Sequence, residues 1–436
     1  NELLLYPLDG STIHRIKTDM WHPSCLALVA ISIAVILTLA MAMFVEPVFL
    51  PNYVSEVLVV EKLFVFECPE GLCDALGAER PKPIFMPTFV FEEQGGPVAE
   101  CDSTPIIRRL EALYPERSVL PDDPALAFID YLIEDFADEW CTKYMFHYRW
   151  HFSEDADKAG TLLPLGMNVS MPSEMLAQFK AQIAQRQIDR LYVVGSNETT
   201  APVIDASYRR FLSAMEAHLS EQKFMLGQRP SAGDFALHGQ LTQLVGFDPT
   251  PRDIANEISP RTVAWVDQVY DQGGIEPSED DWFALEKQPS SLRGLLSEIG
   301  RVYAPAQLAN ARAVHAGEKM WEGEIDGAPW VQQTFPYQAK CLRWTNEHYR
   351  KLTASDRARV DAVLTGTGIE AMLSLTVAGG VGGRLFLARG LCGTEKERHK
   401  NLVWRGDECC NEQCVPGFPR RRGRPPRWPQ AVLGGG

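Results

Sequence analysis

Two dipeptides, Met86-Pro87 and Asp102-Ser103, could carry chemistry, and the second combines residue types that can hold the end of a free amino acid. Asp102-Ser103 leads through Thr104-Pro105 into Ile106, Ile107, Leu110 and Leu113 at helical spacing. A carboxylate and a hydroxyl therefore stand at a helix start. Backbone N–H groups there have no intrahelical partner and face the positive end of the helix dipole, so they attract an anion. The adjacent carboxylate suits an ammonium group, and a free amino-acid end carries both charges. Met86-Pro87 begins a strand pattern, and proline is the residue that tolerates a cis peptide cheaply. The plain alternative is a capped helix after a hairpin, with Ser103 or Thr104 as the cap and Pro105 in the first turn.

Other side chains with chemical potential are more scattered. Ser11 lies in the turn of LYPLDGSTIHRIK, where its type alone reads as a turn residue or cap. Glu134, Asp135, Asp138 and Glu139 precede His147 and His151, but no Glu-x-x-His pattern accompanies them. A solvated acidic helix face is expected there, and no metal site. Trp140, Tyr144 and Tyr148 share that helix, where they either line a cleft or pack a core.

The elements that must position these groups follow from periodicity. Residues 85–92 and 98–101 read as strands around the Gly95-Gly96 turn. A second β-rich run covers 54–66, and 2–9 reads as a strand followed by a helix start at IHRIK. Residues 123–152 form one long helix with Ile129, Leu132, Ile133, Phe136, Trp140, Tyr144 and His147 on its apolar face. Further helices are expected over 172–191, 203–222, 259–272, 290–316, 337–352 and 354–364. Ser231 and Asp234 have capping-box spacing ahead of Leu237, Leu241, Leu244 and Val245. Asp326-Gly327 is a type I′ hairpin signal, with Pro329 marking an edge strand.

The segment 83–115 resembles the second half of the thioredoxin-like domain of glutathione transferases, and FMLGQRPSAGDFALHGQLTQLV resembles the capped central helix of their all-helical domain. Leu226, Gly227, Pro230, Ser231 and Asp234 carry the second match. The resemblance covers about 83–364, and loosely 2–17. It implies a thioredoxin-like α/β domain over 1–115, interrupted by an insertion at about 19–51, followed by an all-α domain over 116–318. A hairpin-plus-helix extension at 319–365 and a disordered basic tail at 366–436 complete the expected organisation. By the same resemblance Met86 and Pro87 hold glutathione through the backbone, Asp102 and Ser103 hold its γ-glutamyl end, and Ser11 activates its thiol. Trp140, Tyr144 and Tyr148 would lie near the substrate cleft, and Ser231 with Asp234 would serve folding. The implied function is transfer of the glutathione thiol to a small electrophile by a cytoplasmic homodimer without a metal. The alternative is a non-catalytic binding or scaffold module.

Composition narrows the classes. The chain has 436 residues, 45% of them apolar, enough for two or three domains. Its net charge is −15, and residues 384–436 hold 11 Lys/Arg against 5 Asp/Glu, so the body is more acidic still. An acidic body argues against general nucleic-acid binding. Ten cysteines without CxxC pairs point to a reducing compartment rather than a zinc or disulfide scaffold. Residues 25–45 carry no charge and are long enough to span a bilayer, which opens a single-span membrane-anchored alternative.

Overall fold

The computed structural model describes residues 2–5, 14–17, 58–60, 63–66, 73, 77–81, 88–114, 118–270, 272 and 277–373. Ser11, Met86, Pro87, the apolar run 25–45 and the basic tail beyond 373 lie outside them.

The N-terminal part is a sheet. Strands β5 (Thr88–Glu93) and β6 (Gly96–Cys101) form a full hairpin, Thr88 opposite Cys101 and Glu93 opposite Gly96. Gly96, at φ 111°, turns the chain between them. Before it run β1 (Glu2–Leu5), β2 (His14–Lys17), β3 (Leu58–Val60) and β4 (Leu63–Phe66), giving the order β2-β1-β3-β4-β5-β6. Every pairing is antiparallel.

That topology corrects one expectation. A thioredoxin-like sheet needs parallel strands joined by a helical crossover of about a dozen residues or more. The segment separating β1 from β2 is shorter than that, and IHRIK supplies a strand rather than a helix start, Ile16 pairing with Leu3. Among the described residues there is no thioredoxin-like sheet.

The rest is mostly helical. Helix α1 (Ser103–Leu113) leaves the hairpin directly. The long helix expected over 123–152 is present as α2 (Pro124–Phe136), a π-helical turn (Ala137–Cys141) and α3 (Thr142–His151). Asp123 caps it, accepting from the N–H groups of Ala125 and Leu126, with Pro124 at the first position. There follow α4 (Ser153–Met167), α5 (Ser173–Ile188), a 3₁₀ turn (Leu191–Val194) and α6 (Ala201–Leu219). Helices α7 (Ala232–Leu244), α8 (Pro249–Ile258) and α9 (Pro260–Tyr270) complete that half.

The expected helix over 290–316 is α10 (Leu292–Glu298), a second π turn (Ile299–Tyr303) and α11 (Ala304–Ala316). The hairpin β7 (Met320–Ile325) and β8 (Ala328–Gln333) turns at Asp326 and Gly327, φ 50° and 79°, the pair of positive values that a type I′ turn requires. Helices α12 (Pro336–Lys351), α13 (Ala354–Leu364) and α14 (Glu370–Leu373) follow.

The main apolar core runs from Ala125 on α2 to Leu373 on α14, and Ala156, Ala159 and Ile183 of α4 and α5 form a second cluster with Phe146 and Trp150 of α3. Trp321, Ile325 and Trp330 of the hairpin and Leu342 and Val360 of the last helices belong to the main core. The extension is thus built into the helical body. Its boundary moves outward as well, because Ile369, Met372 and Leu373 are buried beyond residue 365.

The acidic face of the long helix is also corrected. Glu134 and Asp135 are 2% and 8% exposed, not solvated. Glu134 accepts from Thr104 and Arg108 on α1, at 2.9 and 2.8 Å. Asp135 accepts from Tyr303 at 2.7 Å and from Thr345 at 3.3 Å. Carboxylates that close to donors from three other elements act as joints between helices.

Candidate functional site

The start of α1 is where the strongest candidates meet. Asp102 leaves β6 with φ 89° and ψ 129°, a backbone conformation that a non-glycine residue seldom adopts. Such an outlier persists only where the surroundings hold it. Here they do. Arg109 of α1 bonds Glu100 at 3.1 Å and Glu93 at 2.6 Å, and stacks 3.7 Å over the Phe91 ring. The hairpin and the helix are therefore tied on both sides of the turn.

Asp102, rather than Ser103 or Thr104, caps the helix. Its Oδ1 accepts the Thr104 N–H at 3.4 Å, and its Oδ2 accepts the phenol O–H of Tyr337 on α12. Burial pushes the Asp102 carboxyl above the usual range, with the Tyr337 and Thr104 hydrogen bonds opposing that rise. Ser103 is 5% exposed, and its hydroxyl has no hydrogen-bond partner among the described residues. It is thus a donor left over at the positive end of a helix, next to a carboxylate.

Beside this corner lie the π turn and the first turns of α12. Asp138 and Glu139 sit on the π turn and are partly exposed. π turns recur at functional sites because the extra residue redirects side chains. Desolvation pushes the Glu139 carboxyl up to about 7 and the Asp138 carboxyl well above its ordinary value, and the surrounding carboxylates add to both. The Cys341 thiol donates to Glu139 Oε1 at 3.8 Å. Burial and those same carboxylates push that thiol well up, so it is no ready nucleophile. The arrangement is a cluster of carboxylates with one spare hydroxyl, suited to a group carrying an ammonium next to a carboxylate.

The remaining candidates fall elsewhere. Trp140, Tyr144 and Tyr148 are each 0% exposed, which corrects their assignment to an open cleft. Trp140 packs against Trp330, Tyr144 shares a 2.7 Å hydrogen bond with Ser207, and Tyr148 donates to Asp205 at 2.7 Å. His147 pairs with Ser196 at 2.8 Å and stacks on His151, and burial holds its pKa down to about 3. No group of His, Cys, Asp or Glu among the described residues is arranged to hold a metal ion.

The capping box is present in full. Asp234 accepts from the N–H groups of Met225 and Ser231 at 2.9 Å each and from the Ser231 hydroxyl at 2.8 Å. Asp130 of α2 accepts the Gly233 N–H at 2.9 Å, so the start of α7 is pinned to α2.

Sequence reasoning missed Tyr337. Its signal lies in YQAKC, which places Tyr337, Lys340 and Cys341 on one turn of a helix face, but the partner of that face lies far away in the chain. No described helix is long and apolar enough to cross a membrane, and residues 25–45 lie outside the described residues. Neither a family model nor a curated protein sequence matches this chain.

Proposed function

We propose that this chain is a glutathione-transferase-like protein that binds glutathione at the start of α1 and transfers its thiol to an electrophile. The observation that supports this reading is the Asp102-Ser103 corner. Asp102 is held at φ 89° at the helix start, and the hydroxyl of the largely buried Ser103 beside it makes no hydrogen bond among the described residues. The ammonium of the γ-glutamyl end would meet Asp102, and its α-carboxylate would take the Ser103 hydroxyl and backbone N–H. The capping box at Ser231 and Asp234 and the mostly helical body agree with the second domain of that family. Met86 and Pro87 would add backbone contacts to the peptide. The reading assigns thiol activation to Ser11, which matters because a free thiol near pKa 8.5 is mostly protonated at pH 7.

A second reading, a binding or scaffold module without catalysis, is favoured by the antiparallel sheet. Its first two strands, β1 and β2, pair antiparallel with no helix between them among the described residues, so no first βα unit presents an activating hydroxyl. Conjugation of glutathione to an activated aryl halide separates the two. Turnover that falls in Ser11→Ala while glutathione affinity is unchanged supports the transferase. Binding without turnover in the unaltered chain supports the module.

A further inference from the structure

We propose that Tyr337 is a positioning residue for the ammonium-bearing end of the ligand, its phenol fixing one oxygen of Asp102 so that the other faces the incoming charge. This rests on the reading that Asp102 and Ser103 bind glutathione.

The position of Tyr337 is over-determined. Asn310 of α11 clamps the residue before α12 twice, accepting the Phe335 N–H at 2.8 Å and donating to the Phe335 carbonyl at 2.9 Å. Pro336 then starts the helix and Tyr337 falls in its first turn. The ring meets Trp344 edge-on, centroids 6.3 Å apart at 86°. Lys340 lies 4.2 Å over the Trp344 ring, its charge close enough to favour the ionised form of Asp102. The phenol thus arrives at Asp102 from a rigid support on the far side of the molecule's sequence, and it contributes the stronger of the two hydrogen bonds to the carboxylate.

An anchor of that kind has two consequences. A carboxylate with one oxygen held rotates less, and its unshared lone pairs keep one direction for a ligand cation. The hydrogen bond also favours the ionised form in a place that opposes ionisation. The groups facing Asp102 are Thr104 on α1, Glu134 on α2, Asp138 and Glu139 on the π turn, and Tyr337, Lys340 and Cys341 on α12. Desolvation and the neighbouring carboxylates favour its protonated form, while Tyr337, Thr104 and Lys340 favour the charged one. Removing the phenol O–H removes the largest of the opposing contributions. A protonated Asp102 has no charge to offer an ammonium, so glutathione affinity should fail at a higher pH in its absence.

The test titrates glutathione into the full chain and into Tyr337→Phe by calorimetry between pH 5.5 and 8.5, with melting curves alongside. N-acetylated glutathione, which lacks the ammonium, is the control ligand. At the alkaline end the variant should bind within a few-fold of the unaltered chain. Toward the acidic end the ratio of the two affinities should widen, because the variant lacks the hydrogen bond that favours the charged carboxylate, and this extra loss should vanish for the acetylated ligand. Superimposable pH profiles, or tighter binding by Tyr337→Phe, overturn the positioning role while leaving the site itself in place. Absence of glutathione binding by the unaltered chain at millimolar concentration overturns both the site and this role.

Discussion

Asp234→Ala perturbs a local device that periodicity and structure describe identically. Asp234 is fully buried and accepts three hydrogen bonds, two of them from backbone N–H groups of Met225 and Ser231. Alanine leaves both N–H groups buried without an acceptor, at about 1–3 kcal/mol each. Part of that cost is the ordinary loss of an N-cap, about 1 kcal/mol, so the two estimates overlap rather than add. A total of about 4 kcal/mol is expected. For a body of this size that corresponds to a fall in melting temperature of roughly 10 °C. Asp234→Asn keeps an acceptor for Met225 and should lose about half as much. The assay is thermal and urea unfolding followed by far-UV circular dichroism at fixed pH. A loss below about 1 kcal/mol, or equal losses for Ala and Asn, would show that the start of α7 is held by packing against α2 and not by the box.

Two further outcomes concern stability. Burial raises the folded-state pKa of Asp130 and Asp135 to about 7 and of Asp234 and Asp248 to about 6. A raised carboxyl stabilises the fold below its unfolded value near 4 and loses that contribution as pH climbs through the folded one. His147 and His238, held down to about 3 and 4, act in the opposite sense below their unfolded value of about 6.5. Glu139, raised to about 7, adds to the acids, and His218 and His348 are lowered as well; the acids outweigh the histidines and predict a higher melting temperature at pH 5.5 than at pH 8, and a flat or rising profile across that window contradicts the balance. Gly195 has φ 75°, and an added Cβ would sit 2.5 Å from Trp330 Nε1 on a ring already packed against Trp140. Gly195→Ala should cost on the order of 2–4 kcal/mol from strain and overlap together, and a melting temperature unchanged within a degree would count against it.

What the sequence disclosed divides along a physical line. The Ser231–Asp234 capping box, the Asp326-Gly327 turn and the apolar stripe from Ile129 to His147 are local. Each is set by residues within a few positions, and each is found in the structure. The acidic residues of α2 misled because a carboxylate off the apolar stripe reads as solvated until its partners are known. The partners are Arg108, Tyr303 and Thr345, the last of them 210 residues further along the chain from Asp135. Tyr337 was hidden for the same reason. His14-Lys17 misled in another way: a four-residue run with one β-branched residue takes its form from the strand that pairs with it, and β1 supplies that pairing. Trp140, Tyr144 and Tyr148 show that aromatic residues on a helix do not disclose whether they line a cleft or fill a core; here the hairpin and α6 cover them.

The most direct test of the central claim is calorimetric titration of glutathione into the full chain, Ser103→Ala and Asp102→Ala at pH 7.5. A charge-assisted hydrogen bond contributes roughly 1.5–3 kcal/mol, or about one to two decades of affinity. If Asp102-Ser103 holds the γ-glutamyl end, each variant should bind about 10- to 100-fold more weakly, with Ser103→Ala melting close to the unaltered chain. Glutathione affinity unchanged in Ser103→Ala, or no binding by the unaltered chain at millimolar concentration, contradicts the assignment of this corner as a ligand site.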